Sequence, residues 1–544
     1  MTGRSVTVIT MDDYSVARNL CPSILRRMKM NYGQHFSALQ TPQSESIPGK
    51  AMVKNNAGGF AFAVDDWKRL ERFLILGSEG GTYYVGEHEL TVDNAQCVVR
   101  CAQADSKRIV DTIVAISDAG RAPKNDPAIF ALALVAKFGD KKLAFEALPK
   151  VCRIPTHLFH FVDYIVAQRG WGRSLRRAVA NWYLTPEVND LSYHAVKYQQ
   201  RDGWANRDLL CLSHPKTDGA RNVLFRWIVT GNETQVGDFD ALRPVEGFLK
   251  LQKATEAKEA VRLIRDYNLP RECVPTQLLT DASVWEALLE KMPMTAMIRN
   301  LPTMTRVGLL KPLSDATSHV VSELTNVERL RKARIHPLAA LVALVTYQGG
   351  HSIRGDSEWE PVTSIVDALN DAFYLAFGNI EPTGKRILLA LDVSGSMDNG
   401  LIAGLPGITP RVAGAAMALV IAATEPQHQI VAFSASPGTT ITYANYQTQG
   451  DHNMLVPISL SPRHRLDDVV KTVHDIPMGG TDCALPMMWA IKNKIQVDTF
   501  IVITDNETWH TSTGGGHPCQ MLTKYRQIMG IPARLVVIGM TASD

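Results

Sequence analysis

Between residues 65 and 374 the apolar positions recur every three to four residues, in stretches of roughly 12 to 16 separated by short polar turns. That period predicts one helix after another, and the punctuation follows helix-capping chemistry. Asp65 can cap a helix that ends before Gly77. Asp126 stands before Pro127, a capping carboxylate ahead of a proline at the first helical position, and this stretch runs to Gly139. Pro155, Ser283 and Pro337 open similar segments. Alternating β-type runs are few and no strict repeat is present, so the pattern reads as an irregular α-solenoid of stacked helical pairs.

The pattern changes at Pro382, Thr383 and Gly384. Residues 386–391 form a short apolar run of buried-strand type, and 429–433, 499–503 and 534–539 repeat it. Helical stretches at 411–424, 483–494 and 521–529 separate them. Strands alternating with helices predict a doubly wound α/β domain, its parallel sheet covered on both faces.

Composition sharpens this outline. A chain of 544 residues, 45% hydrophobic and 20% charged, is too long for a single core, so two or more domains are expected. It contains no apolar run of membrane-spanning length, and its N-terminus mixes Asp12, Asp13 and Arg18 with apolar positions, unlike a signal peptide. The expectation is an intracellular, cytoplasmic protein with no membrane partner. Eight scattered cysteines without a CxxC pair fit a reducing compartment; Cys97 and Cys101, one helical turn apart, read as two buried thiols. The net charge of +3 divides into −2 from residue 381 onward (11 basic against 13 acidic) and +5 before it (46 against 41). A case for nucleic acid therefore rests on local clusters.

Three loops of the second half carry oxygen ligands. The first run leads into Asp392, Ser394 and Ser396 on alternate residues; Thr481 follows two glycines; Asp505 directly follows the third run. Asp and Ser in a turn also have a purely local explanation, because their side chains bond nearby backbone. Three such loops converging at the carboxyl ends of parallel strands instead predict one hard cation, most simply Mg²⁺. Gly384-Lys385 is a decoy for a phosphate-binding loop: the glycine spacing is too long, Arg386 replaces the hydroxyl residue, and a strand follows where a helix should begin.

The first half carries basic clusters interleaved with aromatics. Arg169, Arg173, Arg176 and Arg177 flank Trp171; Lys197, Arg201 and His214 surround Trp204 and Arg207; Arg329, Arg331, Lys332, Arg334 and His336 form a third group. Helical spacing would put Lys197 and Arg201 on one face. Such cations can line up phosphates while aromatics stack on unpaired bases, although each cluster also reads as a solvated helix face.

The Asp-x-Ser-x-Ser, Thr and Asp constellation resembles the metal-ion-dependent adhesion site (MIDAS) of von Willebrand factor A domains. That family adds a further strand and helix where this sequence has few residues left after its last apparent strand. Longer strings resemble the Ro autoantigen family, whose helical module is called TROVE: RFLILGSEGGTYY at 72–84, VCRIPTHLF at 151–159, WGR at 171–173, KARIHP at 332–337, EPTGKR at 381–386 and GGTDC at 479–483. The SIPG string at 46–49 is similar to bacterial members. The resemblance implies a multidomain protein: an N-terminal segment (1–30), an all-α ring of HEAT-like repeats (31–375), and a Rossmann-like von Willebrand factor A domain (381–544). It further implies binding of Y-type small noncoding RNA on the outer surface of the ring, at Lys197, Arg201 and His214; the basic clusters themselves offer Arg173, Arg176, Arg177, Arg334 and His336 as further RNA contacts. Single-stranded 3′ ends of misfolded or precursor structured RNA would enter the ring, in noncoding RNA quality control, processing or decay beside an exoribonuclease. The protein would be a monomer within a ribonucleoprotein, with an acidic partner group at the metal and no chemistry of its own. Two other readings stay open: an adhesion or scaffold protein that recognises an acidic protein ligand, and a metal-dependent nuclease or phosphatase using Asp392 and Asp505, aided by Glu507 or His510.

Overall fold

The computed structural model describes residues 41–540 apart from 55–57, 79–86, 123, 353–355, 399–401, 403–406, 436–441, 444–445, 448–452, 477–480 and 505–515. The chain divides into two units. One holds Asp65–Ser78 and Leu90–Ala376; the other holds the chain from Phe377 together with the described residues before Asp65. By contact, residues 41–64 group with the C-terminal unit, where hydrogen bonds from Thr41, Gln43 and Glu45 are made, and no local pattern encodes such a partnership.

The helical unit is a succession of helices from Asp66–Leu76 to Thr363–Leu375. Asp65 caps the first, accepting from the Lys68 N–H at 2.8 Å, and Gly77 ends it with a left-handed φ of 71°. Two expected helix starts shift by one residue. Asp126 lies inside the Asp126–Phe138 helix, whose cap position is Asn125; the Asn125 side chain accepts from the Ser117 hydroxyl and donates to the Val151 carbonyl. The helix near Ser283 begins at Ala282, because Asp281 is the cap and accepts from the Ser283 N–H. Pro155 and Pro337 open their helices as expected.

The Asp126–Phe138 helix buries Ala128, Ile129 and residues 131–136, leaving little polar face, and it packs against Ser106–Asp118, Lys141–Val151 and Pro155–Arg169. An all-round apolar helix has to be enclosed in this way. Cys97 and Cys101 are both buried and point their thiols at the Asp66 carbonyl; burial pushes both thiols up, Cys97 to about 12. Among the described residues no helix is long and apolar enough to cross a membrane.

Short antiparallel hairpins pair β1 (Met52–Lys54) with β2 (Phe60–Phe62), and β3 (Gln200–Arg201) with β4 (Trp204–Ala205). The C-terminal unit is built on β5 (Ile387–Asp392), β6 (His428–Ala435), β9 (Asn453–Ile458), β10 (Thr499–Thr504) and β11 (Arg534–Gly539), with a small β7 (Thr442–Tyr443) and β8 (Tyr446–Gln447) hairpin between β6 and β9. The sheet order is β11-β10-β5-β6-β9, and β9 alone is antiparallel to its neighbour. The parallel pairing expected from sequence holds for β5, β6, β10 and β11, and β9, which the apolar pattern does not reveal, adds one antiparallel edge. Pro457 interrupts the apolar pattern of β9, and an edge strand tolerates a proline because half of its backbone groups need no ladder partner. The Leu466–His474 helix was also not foreseen.

Alternation along the strands builds two cores. Leu388, Ala390, Val431, Phe433, Phe500 and Val502 face the Leu485–Lys492 and Pro518–Met529 helices. On the opposite side, Leu391 and Ile503 approach Gly414 of the Pro410–Thr424 helix.

Candidate functional site

The order of strands around β5 creates a switch point between β5 and β10, where an open α/β sheet offers a crevice at its carboxyl edge. Asp392 is the last residue of β5 and is buried. Its Oδ1 accepts from the Ser394 N–H at 2.8 Å, and its Oδ2 accepts from the Thr504 hydroxyl at 2.7 Å, which ties the ends of the two strands together. The Ser394 and Ser396 hydroxyls lie 3.1 Å apart, the first buried and the second half-buried at the start of a Gly395–Asp398 3₁₀ turn.

This loop is pinned from behind by Arg411, which is buried on the Pro410–Thr424 helix. Its guanidinium pairs with Asp398 and donates to the carbonyls of Val473 (3.2 Å), Ser394 (3.4 Å) and Val393 (3.5 Å). Thr481 is buried too, and the residues after it, Cys483 to Leu485, join the core that contains Ala390, Phe433 and Val502. Asp505, and with it Glu507 and His510, lies outside the described residues. The described donors are a carboxylate and three hydroxyls, all oxygen, and a carboxylate has lone pairs for a cation beyond two accepted hydrogen bonds. The set fits a hard divalent ion.

Sequence reasoning missed Arg411 and Gln43 as parts of this region. Arg411 left a signal, being the single charge in an otherwise apolar helix. Gln43, which donates to Asp482 from more than four hundred residues away in the chain, left none.

The basic residues of the helical unit fall into distinct settings. Lys197 ends the Val188–Lys197 helix with its ammonium 5.4 Å from the ring centres of both Tyr193 and Tyr198. Burial alone would push this ammonium down, but Tyr193, Tyr198 and Glu272 outweigh it and the pKa is raised, so Lys197 is charged at neutral pH. The expectation that Lys197 and Arg201 share a helix face is corrected. The helix stops at Lys197, and Arg201 lies in β3, paired with Trp204 across Asp202 and Gly203, both at positive φ (53° and 78°). Asp-Gly between two short extended runs is a two-residue hairpin signal, and it overrides the helical period here. Asp202 also pairs with His160, and the Trp204 indole donates to Asp163 at 3.4 Å, which fixes the hairpin on the Pro155–Arg169 helix.

Arg201 is exposed, with Asp202 3.6 Å from its Nε. His214 is exposed in a left-handed cap (φ 48°) after the Asn206–Ser213 helix. Arg173, Arg176 and Arg177 are exposed on the Arg173–Leu184 helix, and Arg176 Nε donates to the Ser213 carbonyl at 3.3 Å, so this cluster and His214 are neighbours. Arg169 and Arg207 instead bind backbone carbonyls of Ala136 and Val229. Arg334 is exposed at φ 51°. His336 Nδ1 caps the Pro337–Gln348 helix, accepting from the Leu338 N–H, and burial holds the imidazole below its ordinary range, so at neutral pH it carries no cation for a phosphate. The aromatic ring set around Lys197, extended by His194, was not singled out from sequence, although its members are nearest neighbours of Lys197 in the chain.

Comparison with known proteins matches both halves. Residues 53–269 and 266–348 match the TROVE domain family, and 386–544 match the Ro60 vWA domain. A curated relative from Deinococcus radiodurans, named RNA-binding protein RO60, is 42% identical over 515 residues, covering 94% of this chain and 92% of the relative. A protein of the same name from Caenorhabditis elegans is 34% identical, covering 97% of this chain and 91% of its own. The crystal structure of the Deinococcus radiodurans RO (RSR) protein superposes with a TM-score of 0.71 at 42% identity, covering 87% of this chain and 92% of that one. With both domain families matched in order and relatives aligned over nearly their whole length, the chain belongs to the Ro60 family of TROVE and vWA domain proteins.

Proposed function

We propose that this protein binds structured RNA through the helical unit and holds a divalent cation in the vWA domain as a docking point, without catalysing a reaction. The observation that carries the RNA reading is Lys197: a charged ammonium seated between two tyrosine rings, on a helix end followed directly by the hairpin that presents Arg201. Phosphate binding needs cations that remain charged and are positioned by their surroundings, and Lys197 meets both conditions. Arg173, Arg176, Arg177 and His214 extend the same chemistry. Membership of a family whose curated relatives are named RNA-binding proteins supports the assignment.

The finer reading is a Y-type small noncoding RNA on this surface, and the single-stranded 3′ ends of misfolded or precursor RNAs at a second, exoribonuclease-linked site. The ribonucleoprotein would lie in the cytoplasm, where reducing conditions suit the free cysteines among the described residues. In the vWA domain, Asp392, Ser394, Ser396, Thr481 and Asp505 would hold Mg²⁺, and the ion would supply a coordination position for an acidic group of a partner. Against catalysis, the candidate ligand set holds two carboxylates, Asp392 and Asp505, and the residue two after Asp392 is Ser394 and not an acid, whereas two-metal phosphoryl chemistry uses more carboxylates crowded together.

The test is a salt titration of binding to a stem-containing small RNA by the protein with Lys197, Arg201 and His214 all changed to alanine. Affinity should fall, and the slope of log K against log salt should become shallower by roughly 1.4 to 1.8, for two lost full cations at about 0.7 to 0.9 each. Unchanged affinity across the titration rules out this surface.

A further inference from the structure

The segment before the first helix hydrogen-bonds to Asp482, the neighbour of Thr481, and to Gly516, His517 and Gln520. Gln43 is fully buried. Its amide nitrogen donates to Asp482 Oδ1 at 2.8 Å and to the Gly516 carbonyl at 3.3 Å, and Asp482 Oδ1 also accepts from the Ala484 N–H at 2.9 Å. Asp482 is the residue after Thr481, and Gly516 is the residue after the 505–515 segment that begins with Asp505. One side-chain amide therefore ties Asp482, the neighbour of Thr481, to Gly516.

Around this bridge the segment is fastened at several points. The Thr41 N–H donates to Gln520 Oε1 at 3.2 Å, and the Gln520 amide donates back to the Thr41 hydroxyl at 3.4 Å. The buried His517 ring lies 2.8 Å from the Glu45 carbonyl. The Gln43 carbonyl in turn accepts from the Phe60 N–H at 2.9 Å, which anchors the segment to β2. Asp482 is completely buried, and a buried carboxylate is held in one place only if its hydrogen-bond donors are.

We propose that Gln43 is a positioning residue for the divalent-cation site, and that docking of the 41–50 segment and metal binding are coupled. The proposal rests on the metal reading above. Gln43 is not one of the candidate ligands; it holds Asp482, and with it the loop that carries Thr481. Residues of this kind, which orient ligands without coordinating, typically govern metal affinity by roughly 10–100-fold. Because coupling is reciprocal, the ion must also favour the docked segment.

The experiment uses the full chain and Mn²⁺, whose binding is read by paramagnetic resonance of the free ion. Gln43→Ala, and Gln43→Met as a variant of similar shape without the amide, should weaken Mn²⁺ binding by about tenfold or more while the β5 amides stay protected from hydrogen exchange. A merely structural role would speed exchange at β5 and leave the Mn²⁺ affinity of the folded variant unchanged; that result overturns the proposal. If the unaltered protein takes up no Mn²⁺, the metal reading fails and the proposal falls with it. Hydrogen exchange of the unaltered protein supplies an arm that needs no variant: saturating Mg²⁺ should slow exchange across 41–50 and at the Phe60 amide. Equal exchange with and without Mg²⁺ overturns the coupling even where neither variant folds.

Discussion

Arg411→Met isolates the element that holds the Asp392 loop in shape. Methionine replaces much of the aliphatic volume but removes a guanidinium that donates to the carbonyls of Val393, Ser394 and Val473 and pairs with Asp398. Asp398 is 29% exposed and regains water when its partner is lost, so the ion pair itself contributes little to the cost. The three carbonyls are enclosed, and each loses a charged donor at long range, at about 1 kcal/mol apiece. The expected destabilisation of the vWA domain is therefore about 3 kcal/mol. At 1.4 kcal/mol per decade this is an increase on the order of 100-fold in the opening constant of the domain. Because the protein has two units, a whole-chain melt would mix their transitions, and the appropriate assay is native-state hydrogen exchange at the β5 amides of Ile387–Asp392. Arg411→Lys, which keeps the charge with fewer donor directions, should fall between. Exchange at β5 within threefold of the unaltered protein in a folded Arg411→Met variant would refute the reasoning and would mean that the loop holds its shape without this support.

Further outcomes follow from other parts of the structure. Asp392→Ala should abolish Mg²⁺ or Mn²⁺ binding, measured calorimetrically, while RNA affinity stays within about twofold, since the proposed RNA contacts lie in the other unit. Asp498 is held down to about 2 by hydrogen bonds from the Arg386 guanidinium and backbone N–H. A depressed carboxyl contributes stability that is present above its unfolded value near 3.9 and is lost as pH falls through 2; the stability gap between the protein and Asp498→Asn should thus narrow between pH 4 and 2 in urea titrations. Gly247→Ala would place a Cβ 2.5 Å from Cβ and Cγ of Tyr267, and the resulting overpacking should cost about 1–3 kcal/mol beyond the ~1 kcal/mol helix-propensity gain of alanine. A raised melting temperature for that variant would contradict the packing described.

Much of this protein is written locally. The period of apolar positions, together with caps such as Asp65 and the helix-opening Pro155 and Pro337, was sufficient to locate the helical unit. The short apolar runs before Asp392 and Asp505 were sufficient for the central strands, because both signals depend on residues a few positions apart. The candidates Asp392, Ser394, Ser396, Thr481 and Asp505 could be named for the same reason: in the sequence each follows a short apolar run or a pair of glycines. Where two local signals competed, the reading failed. The Asp202-Gly203 hairpin outranked the i, i+4 spacing of Lys197 and Arg201, and β9 was hidden by its proline.

What no local pattern could supply was the set of partners. That Asp392 is gripped by Thr504, that Arg411 clamps the loop after it, that Lys197 rests on Tyr193 and Tyr198, and that Gln43 reaches Asp482 are facts of three-dimensional packing. A hydrogen bond across hundreds of residues leaves no periodicity, since the chain between its ends can take any length once the fold has brought them together. The sequence alone therefore determined which atoms could hold an ion or a phosphate, and the tertiary structure decided which partners hold those side chains in place.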